Sequence, residues 1–320
     1  MIQIRFWGTR GSLPVATAGG IIREKVKRAL LEADGRRFED AEALERFMDE
    51  SLDFSTRHGY GGDTSCVELI DGEETILCDM GTGLRRFGQQ APSRFGTTPK
   101  EYHIFLSHLH WDHIMGLPFF PPAYIPGNRI HLYGGHSIAN MEKAFLKQQS
   151  PPSFPVHWND MDADIDFTHL DVDTWHDIAG YQVLLHRQTH HGGSFGYRFE
   201  KNGKAIVYAT DAEHKQDDES VTQGVIDFLD QADIVIFDAM YSMADMITIK
   251  EDWGHSSNIV GVDLCLRAGV RHFCMFHHEP AYSDDMIHQV LMETRRYAEL
   301  IGEGRPMEIT SAYDDMVITV

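Results

Sequence analysis

Three histidines and an aspartate crowd into six residues at His108, His110, Asp112 and His113. Neutral imidazole nitrogen and carboxylate oxygen are the donors that borderline divalent metals such as zinc take up. The apolar run Tyr102 to Leu106 reads as a buried strand ending at Ser107. On the extended segment that follows, His108 and His110 point the same way and can grip one ion. Asp112 and His113 come one turn later, placed to take a second.

His-x-His-x-Asp-His after a strand resembles the signature of the metallo-β-lactamase superfamily. The resemblance implies an αββα four-layer sandwich with a one- or two-metal site at one edge of its two sheets. Lactam, thioester and phosphodiester hydrolysis all occur on that scaffold, so the reaction has to be read from the rest of the site.

Further along the chain, Thr189-His190-His191-Gly192-Gly193-Ser194 resembles the glycine-rich third motif of a phosphodiesterase-like bacterial subgroup. Aligning the motif on Gly-Gly-Ser makes His190 a ligand of the first metal, with His191 in a position usually held by proline. Glycines there let backbone N–H groups approach an anion. The strand-like run from Lys204 ends in Asp211, which resembles the metal-bridging carboxylate of the fourth motif. One carboxylate can serve two cations because each oxygen binds one while the charge offsets their repulsion. Phe273 to Phe276 delivers His277, similar to the fifth-motif ligand of the second metal, with His278, Glu279 and Asp284 as candidates to orient it. His255 lies 22 residues before His277, a spacing similar to that of the catalytic histidine in tRNA-processing and related phosphodiesterase members.

Several elements must position these groups. Ile2 to Trp7 alternates as a first strand, and Arg5 to Ser12 is similar to the opening of the same subgroup. The loop Gly61-Gly62-Asp63-Thr64-Ser65 resembles its Gly-Gly-Asn-Thr-Ser loop, and with Gly193 and Ser194 it is expected to bind substrate through Thr64 and Ser65. Between the two lies an insertion, residues 15–58, in which Ile21, Ile22, Val26, Ala29 and Leu30, then Ala41, Leu44, Phe47, Met48 and Leu52, recur at helical spacing. It reads as a helical hairpin, basic in its first arm and acidic in its second, serving as surface padding, a dimer arm or a lid. Asp79, in Asp79-Met80-Gly81-Thr82-Gly83, resembles the first-motif residue that ties loops beneath the metals. Pro118 to Tyr124 is expected to be an extended, proline-stiffened stretch. Residues 1–320 are expected to form a single domain.

The chain has 28 basic and 49 acidic residues, a net charge of −21. That field disfavours long nucleic acid, whose binding rests on Lys/Arg contacts to phosphates. Only 21 residues separate His190 from Asp211, too few for the tRNA-binding arm that tRNA 3′-processing endonucleases of the superfamily carry there. Cys66, Cys78, Cys265 and Cys274 show no paired spacing and read as buried thiols. Without a leader pattern or an apolar run long enough to span a bilayer, the protein is expected to be cytoplasmic, with no membrane partner.

The reading is a metal-dependent hydrolase using two divalent ions, with zinc first and manganese or iron as alternatives. His108, His110, His190 and Asp211 would hold one metal, and Asp112, His113, Asp211 and His277 the other. A two-metal-bound hydroxide would attack a small phosphodiester such as a cyclic nucleotide or cyclic phosphate, with Asp112 and His255 as catalytic residues. An RNA-processing nuclease of the tRNase Z type, a thioesterase or lactamase, and a non-catalytic metal-bound sensor are the alternatives. The resemblance suggests a homodimer.

Overall fold

The computed structural model describes residues 1–72, 74–96, 98–215, 218–242 and 253–320. Period-two alternation in its strands decides the layering. In β1 (Gln3–Gly8), Ile4 and Phe6 face one core while Trp7 faces another. In β4 (Glu101–Leu106), Phe105 joins the first core while Tyr102, Ile104 and Leu106 join the second. The strands β11 (Ile234–Asp238) and β12 (His272–Phe276) send Ile234, Ile236, Cys274 and Phe276 to the shared inner core. Their alternate residues Val235, Phe237, Phe273 and Met275 pack into a third cluster on the far side. Sequences apolar on both strand faces require cover on both sides.

The remaining strands are β2 (Cys66–Asp71), β3 (Glu74–Cys78), β5 (Arg129–Gly134), β6 (Asp164–His169), β7 (Trp175–Ile178), β8 (Tyr181–Gln188), β9 (Ser194–Lys201), β10 (Lys204–Ala209), β13 (Glu308–Ser311) and β14 (Val317–Thr319). They form two seven-stranded sheets, ordered β14-β1-β2-β3-β4-β5-β6 and β13-β12-β11-β10-β9-β8-β7. Helices Gly83–Phe95 and Ile138–Gln148 cover the first sheet, and Glu219–Leu229, Asn258–Ala268 and Asp284–Ile301 cover the second. This is an αββα sandwich. Within it, β3, β4, β5 and β6 run parallel, as do β10, β11, β12 and β13. Parallel strands put their carboxyl ends on one edge, and the chemistry-bearing residues follow those ends.

Between β1 and β2 lie the helices Gly19–Ala33, Ala41–Ser51 and Phe54–Arg57. Asp40 caps the second of these through Ala43 N. No residue of Gly19–Ala33 is buried, and Ile22, Val26, Leu30 and Leu31 face outward. Polar ties attach it to the body. Lys25 Nζ reaches His58 O and Asp284 Oδ2, both at 2.6 Å, and Arg28 makes a two-pronged pair with Asp285.

Pro118 to Tyr124 departs from the extended form expected of it. It forms two short 3₁₀ turns, Leu117–Phe119 and Pro121–Tyr124, because proline's fixed φ also suits the first position of a helical turn. Phe120 is fully buried and Phe119 is exposed. The four cysteines are free and buried, and burial pushes their thiol pKa values up. Among the described residues, no helix is long and apolar enough to cross a membrane.

A candidate metal centre at the strand ends

Five strand ends supply the site. Asp79 follows β3, His108 follows β4, Asp211 follows β10, Asp238 ends β11 and His277 follows β12. Asp79, Asp211 and His277 have positive φ, at 61°, 51° and 63°. For residues other than glycine this backbone is costly and persists where the surroundings enforce it. Three of the strands thus turn sharply as they deliver their polar group.

Asp211 sits at the centre, 2% exposed, and divides its two oxygens. Its Oδ1 lies 3.3 Å from His113 Nε2 and 3.2 Å from His277 Nε2. Its Oδ2 lies 3.5 Å from His108 Nε2 and 3.7 Å from His190 Nε2. On the Oδ1 side, Asp112 Oδ2 approaches His113 Nε2 at 3.1 Å and His277 Nε2 at 3.3 Å. On the Oδ2 side, His110 Nδ1 lies 3.2 Å from His190 Nε2. Donor atoms of His108, His110 and His190 converge as one group, and those of Asp112, His113, Asp211 and His277 as a second.

Partners behind the cluster orient the rings. Asp79 accepts from Ser107 N, Ser107 Oγ and Tyr208 Oη, and holds His113 Nδ1 at 2.7 Å. His190 Nδ1 donates to Gly254 O at 2.7 Å. Asp112 Oδ2 accepts from Ser12 N at 2.8 Å. Hydrogen bonds at the far nitrogen fix which nitrogen faces the cluster.

The electrostatics fit a bound cation. Burial, reinforced by His113, drives the His108 pKa well below its ordinary value and keeps the ring neutral. At His113, burial is outweighed by Asp211, Asp112 and Asp79, and its pKa rises. The pocket between the two aspartates therefore favours positive charge. His108 Nε2 and His277 Nδ1 are buried without a hydrogen-bond partner. An orphaned buried polar atom costs about 1–3 kcal/mol, a cost that a metal held by His108 Nε2 would remove. A neutral imidazole, converging carboxylates and an unpartnered inward nitrogen are the donor set a divalent metal needs.

His255 stands beside this cluster. Its Nδ1 bonds Asp238 Oδ2 at 2.9 Å and lies 3.9 Å from Asp211 Oδ2. Burial disfavours its charged form, but Asp238 and then Asp211 more than offset it, lifting the pKa to about 9. The ring precedes the helix Asn258–Ala268, which Ser257 caps through Val260 N. Asp238 was not singled out from the sequence. The available signal was an apolar strand ending in a carboxylate, the same pattern that marks Asp79 and Asp211.

Three residues expected at the substrate surface lie elsewhere. Thr64, Ser65 and Ser194 are completely buried. Thr64 exchanges hydrogen bonds with Thr82, Thr64 N donating to Thr82 Oγ1 and Thr82 N donating to Thr64 Oγ1. Ser194 Oγ points at Thr210 O, 3.4 Å away. These small hydroxyl residues fill gaps under close backbone turns, and of the four expected residues Gly193 alone borders an open cleft. Asp284 binds Lys25, Tyr60 N and Arg10 and belongs to no ligand group found among the described residues. His278 turns its Nε2 to Ala312 O at 2.8 Å, and His191 is exposed. Neither belongs to a ligand group found among the described residues.

Residues 74–278 match the family model described as a beta-lactamase superfamily domain. A protein named Ribonuclease Z from Haloarcula marismortui is 26% identical over 145 residues, covering 44% of this chain and 43% of that protein. The chain thus aligns with less than half of that relative's length. A second Ribonuclease Z, from Natronomonas pharaonis, is 25% identical over 263 residues, covering 69% of this chain and 83% of the relative. Among solved structures, a diphosphatase of the PhnP family superposes with a TM-score of 0.59 at 17% identity, covering 100% of this chain and 98% of that one. Matched by its family model across most of its length and carrying converging histidines and aspartates at the edge of an αββα sandwich, the chain belongs to the beta-lactamase superfamily and has the metallo-β-lactamase fold.

Proposed function

We propose that the protein is a two-metal phosphodiesterase acting on a small phosphodiester, a cyclic nucleotide or cyclic phosphate being the first choice. One observation carries this reading: Asp211 offers one oxygen to each of two separate donor groups. His108, His110, His190 and Asp211 would hold the first ion, and Asp112, His113, Asp211 and His277 the second, with zinc favoured by the histidine-rich set. Bound divalent ions at such a site activate water near neutral pH and offset charge growing on phosphoryl oxygens.

The chain's own residues supply the rest. Asp112, held by Ser12 N, orients the attacking water at the phosphorus. His255 gives a proton from Nε2 to the departing oxygen as the P–O bond breaks, while Asp238 holds Nδ1 and steadies the ring. A nuclease reading is favoured by the relatives named Ribonuclease Z. The net charge of −21 and the short interval between His190 and Asp211 weigh against a long RNA substrate. The small-substrate reading agrees with the likeness in fold to a diphosphatase, and the single-domain reading of residues 1–320, with 15–58 inserted, stays part of the proposal.

Turnover by metal-defined protein should be compared on bis-p-nitrophenyl phosphate, 2′,3′- and 3′,5′-cyclic nucleotides and precursor tRNA. Hydrolysis of the small diesters with tRNA left intact supports the proposal. Cleavage of tRNA alone would replace it with the nuclease.

A further inference from the structure

A cleft of about 300 Å³ opens beside His108 and His110, between the helix Ile138–Gln148 and the turn Gly192–Gly193. Apart from His108, His110 and Gly193, its lining residues have no part in the chemistry above. Lys143 and Lys147 line it, one helical turn apart and therefore on the same face. Both are exposed. In a chain with 49 acidic residues, ammonium groups normally find carboxylates. Lys25, Lys27, Lys201, Lys204 and Lys215 each do so, and Lys100 sits over the Phe95 ring. Among the described lysines, only Lys143 and Lys147 enter no ion pair or ring contact. Two cations are thus left uncommitted at the rim of the reaction site.

The opposite wall is shaped to leave room. Gly192 and Gly193 have φ of 84° and 86°, where side chains are disfavoured. A Cβ at Gly192 would stand 3.7 Å from His110 Nε2, and one at Gly193 would stand 3.5 Å from His136 Cε1. Side chains there would project among the cleft's lining. His136 also lines the cleft. Unpaired ammonium groups and a low glycine wall suit a compact anion with several acceptor oxygens.

We propose that this cleft binds a second, non-reacting phosphate of the substrate, so that the preferred substrate is a phosphodiester carrying an additional phosphomonoester. The proposal rests on the phosphodiesterase reading, since it places one phosphate at the metals and the other against Lys143 and Lys147. The diester goes to the metal centre, and the extra charge is read by the two lysines.

The test is a binding comparison by calorimetry on the metal-loaded protein. Uridine 3′,5′-bisphosphate is measured against uridine 3′-phosphate, first with the parent and then with the Lys143→Ala/Lys147→Ala variant. At an exposed rim each lysine contact is worth a few-fold in affinity, and the two together about tenfold. The parent should therefore bind the bisphosphate about tenfold more tightly, and the variant should bring the two ligands within about twofold. Alanine suits these exposed helical positions, and circular dichroism checks the fold. Equal binding of the two ligands by the parent, or an undiminished preference in the variant, overturns the subsite. Turnover of bis-p-nitrophenyl phosphate by the parent is read separately. Its absence speaks against the phosphodiesterase, whereas the affinity ratio speaks only to the cleft.

Discussion

Asp238 Oδ2 lies 2.9 Å from His255 Nδ1, joining the end of one core strand to the residue proposed to protonate the leaving group. The contact commits one ring nitrogen and leaves Nε2 as the atom for proton transfer.

His255→Ala should keep its metals yet lose about 10²–10⁴-fold in rate on a diester with a poor alkoxide leaving group. Its loss on bis-p-nitrophenyl phosphate should be much smaller, because p-nitrophenolate departs without a proton. Asp238→Asn should follow the same pattern with a smaller loss, since the ring remains but its steadying charge is gone. His277→Ala should instead release metal and slow both substrates. Steady-state kinetics on the two leaving groups, paired with metal content, checks all three. Equal losses for His255→Ala on both substrates would leave it a positioning or phosphate-binding role.

The parts of this site legible in the sequence were those that end apolar runs in recognisable spacing. His108, His110, Asp112 and His113 announce themselves because four donors within six residues have little packing use. Asp238 did not, because a single carboxylate closing a strand has no spacing to mark it, and its partner His255 is 17 residues away. For Thr64, Ser65 and Ser194 the difficulty runs the other way. Glycine-flanked hydroxyls look like anion binders, but only the tertiary packing shows that they face inward. The layers were readable for a simple reason: alternation along β1, β4, β11 and β12 assigns each side chain to one of two apolar faces.

Asp314 gives a pH signature outside the metal cluster. Burial, with Asp63 adding repulsion, lifts its pKa to about 7 against the donated bonds of Gly62 N and Asp63 N. The folded state thus binds a proton that the unfolded chain has already released above about pH 4. Its contribution is fully present below that pH and is lost as pH rises through about 7. Relative to the parent, Asp314→Asn should gain stability steadily from about pH 4 to 7 and hold a constant difference above. Urea unfolding across that range measures it, and a pH-independent difference would remove the assignment.

The helix Gly19–Ala33 buries none of its residues, so the pairs of Lys25 and Arg28 with Asp284 and Asp285 should govern its attachment. The Lys25 pair is largely sheltered and worth about 1 kcal/mol, whereas the Arg28 pair is exposed and screened by solvent. Lys25→Ala/Arg28→Ala should therefore speed amide exchange in residues 19–33 by about fivefold while leaving β3 and β4 unchanged. Hydrogen exchange by mass spectrometry reads both regions at once, and unchanged exchange in the helix would show that its attachment lies elsewhere.

The central claim is that Asp211 joins two metal sites. Elemental analysis of the fully reconstituted protein, beside Asp211→Ala treated identically, tests it most directly. The account predicts close to two metals per chain in the parent and loss of most of both in the variant. One metal per chain in the parent, or two retained without Asp211, would contradict it.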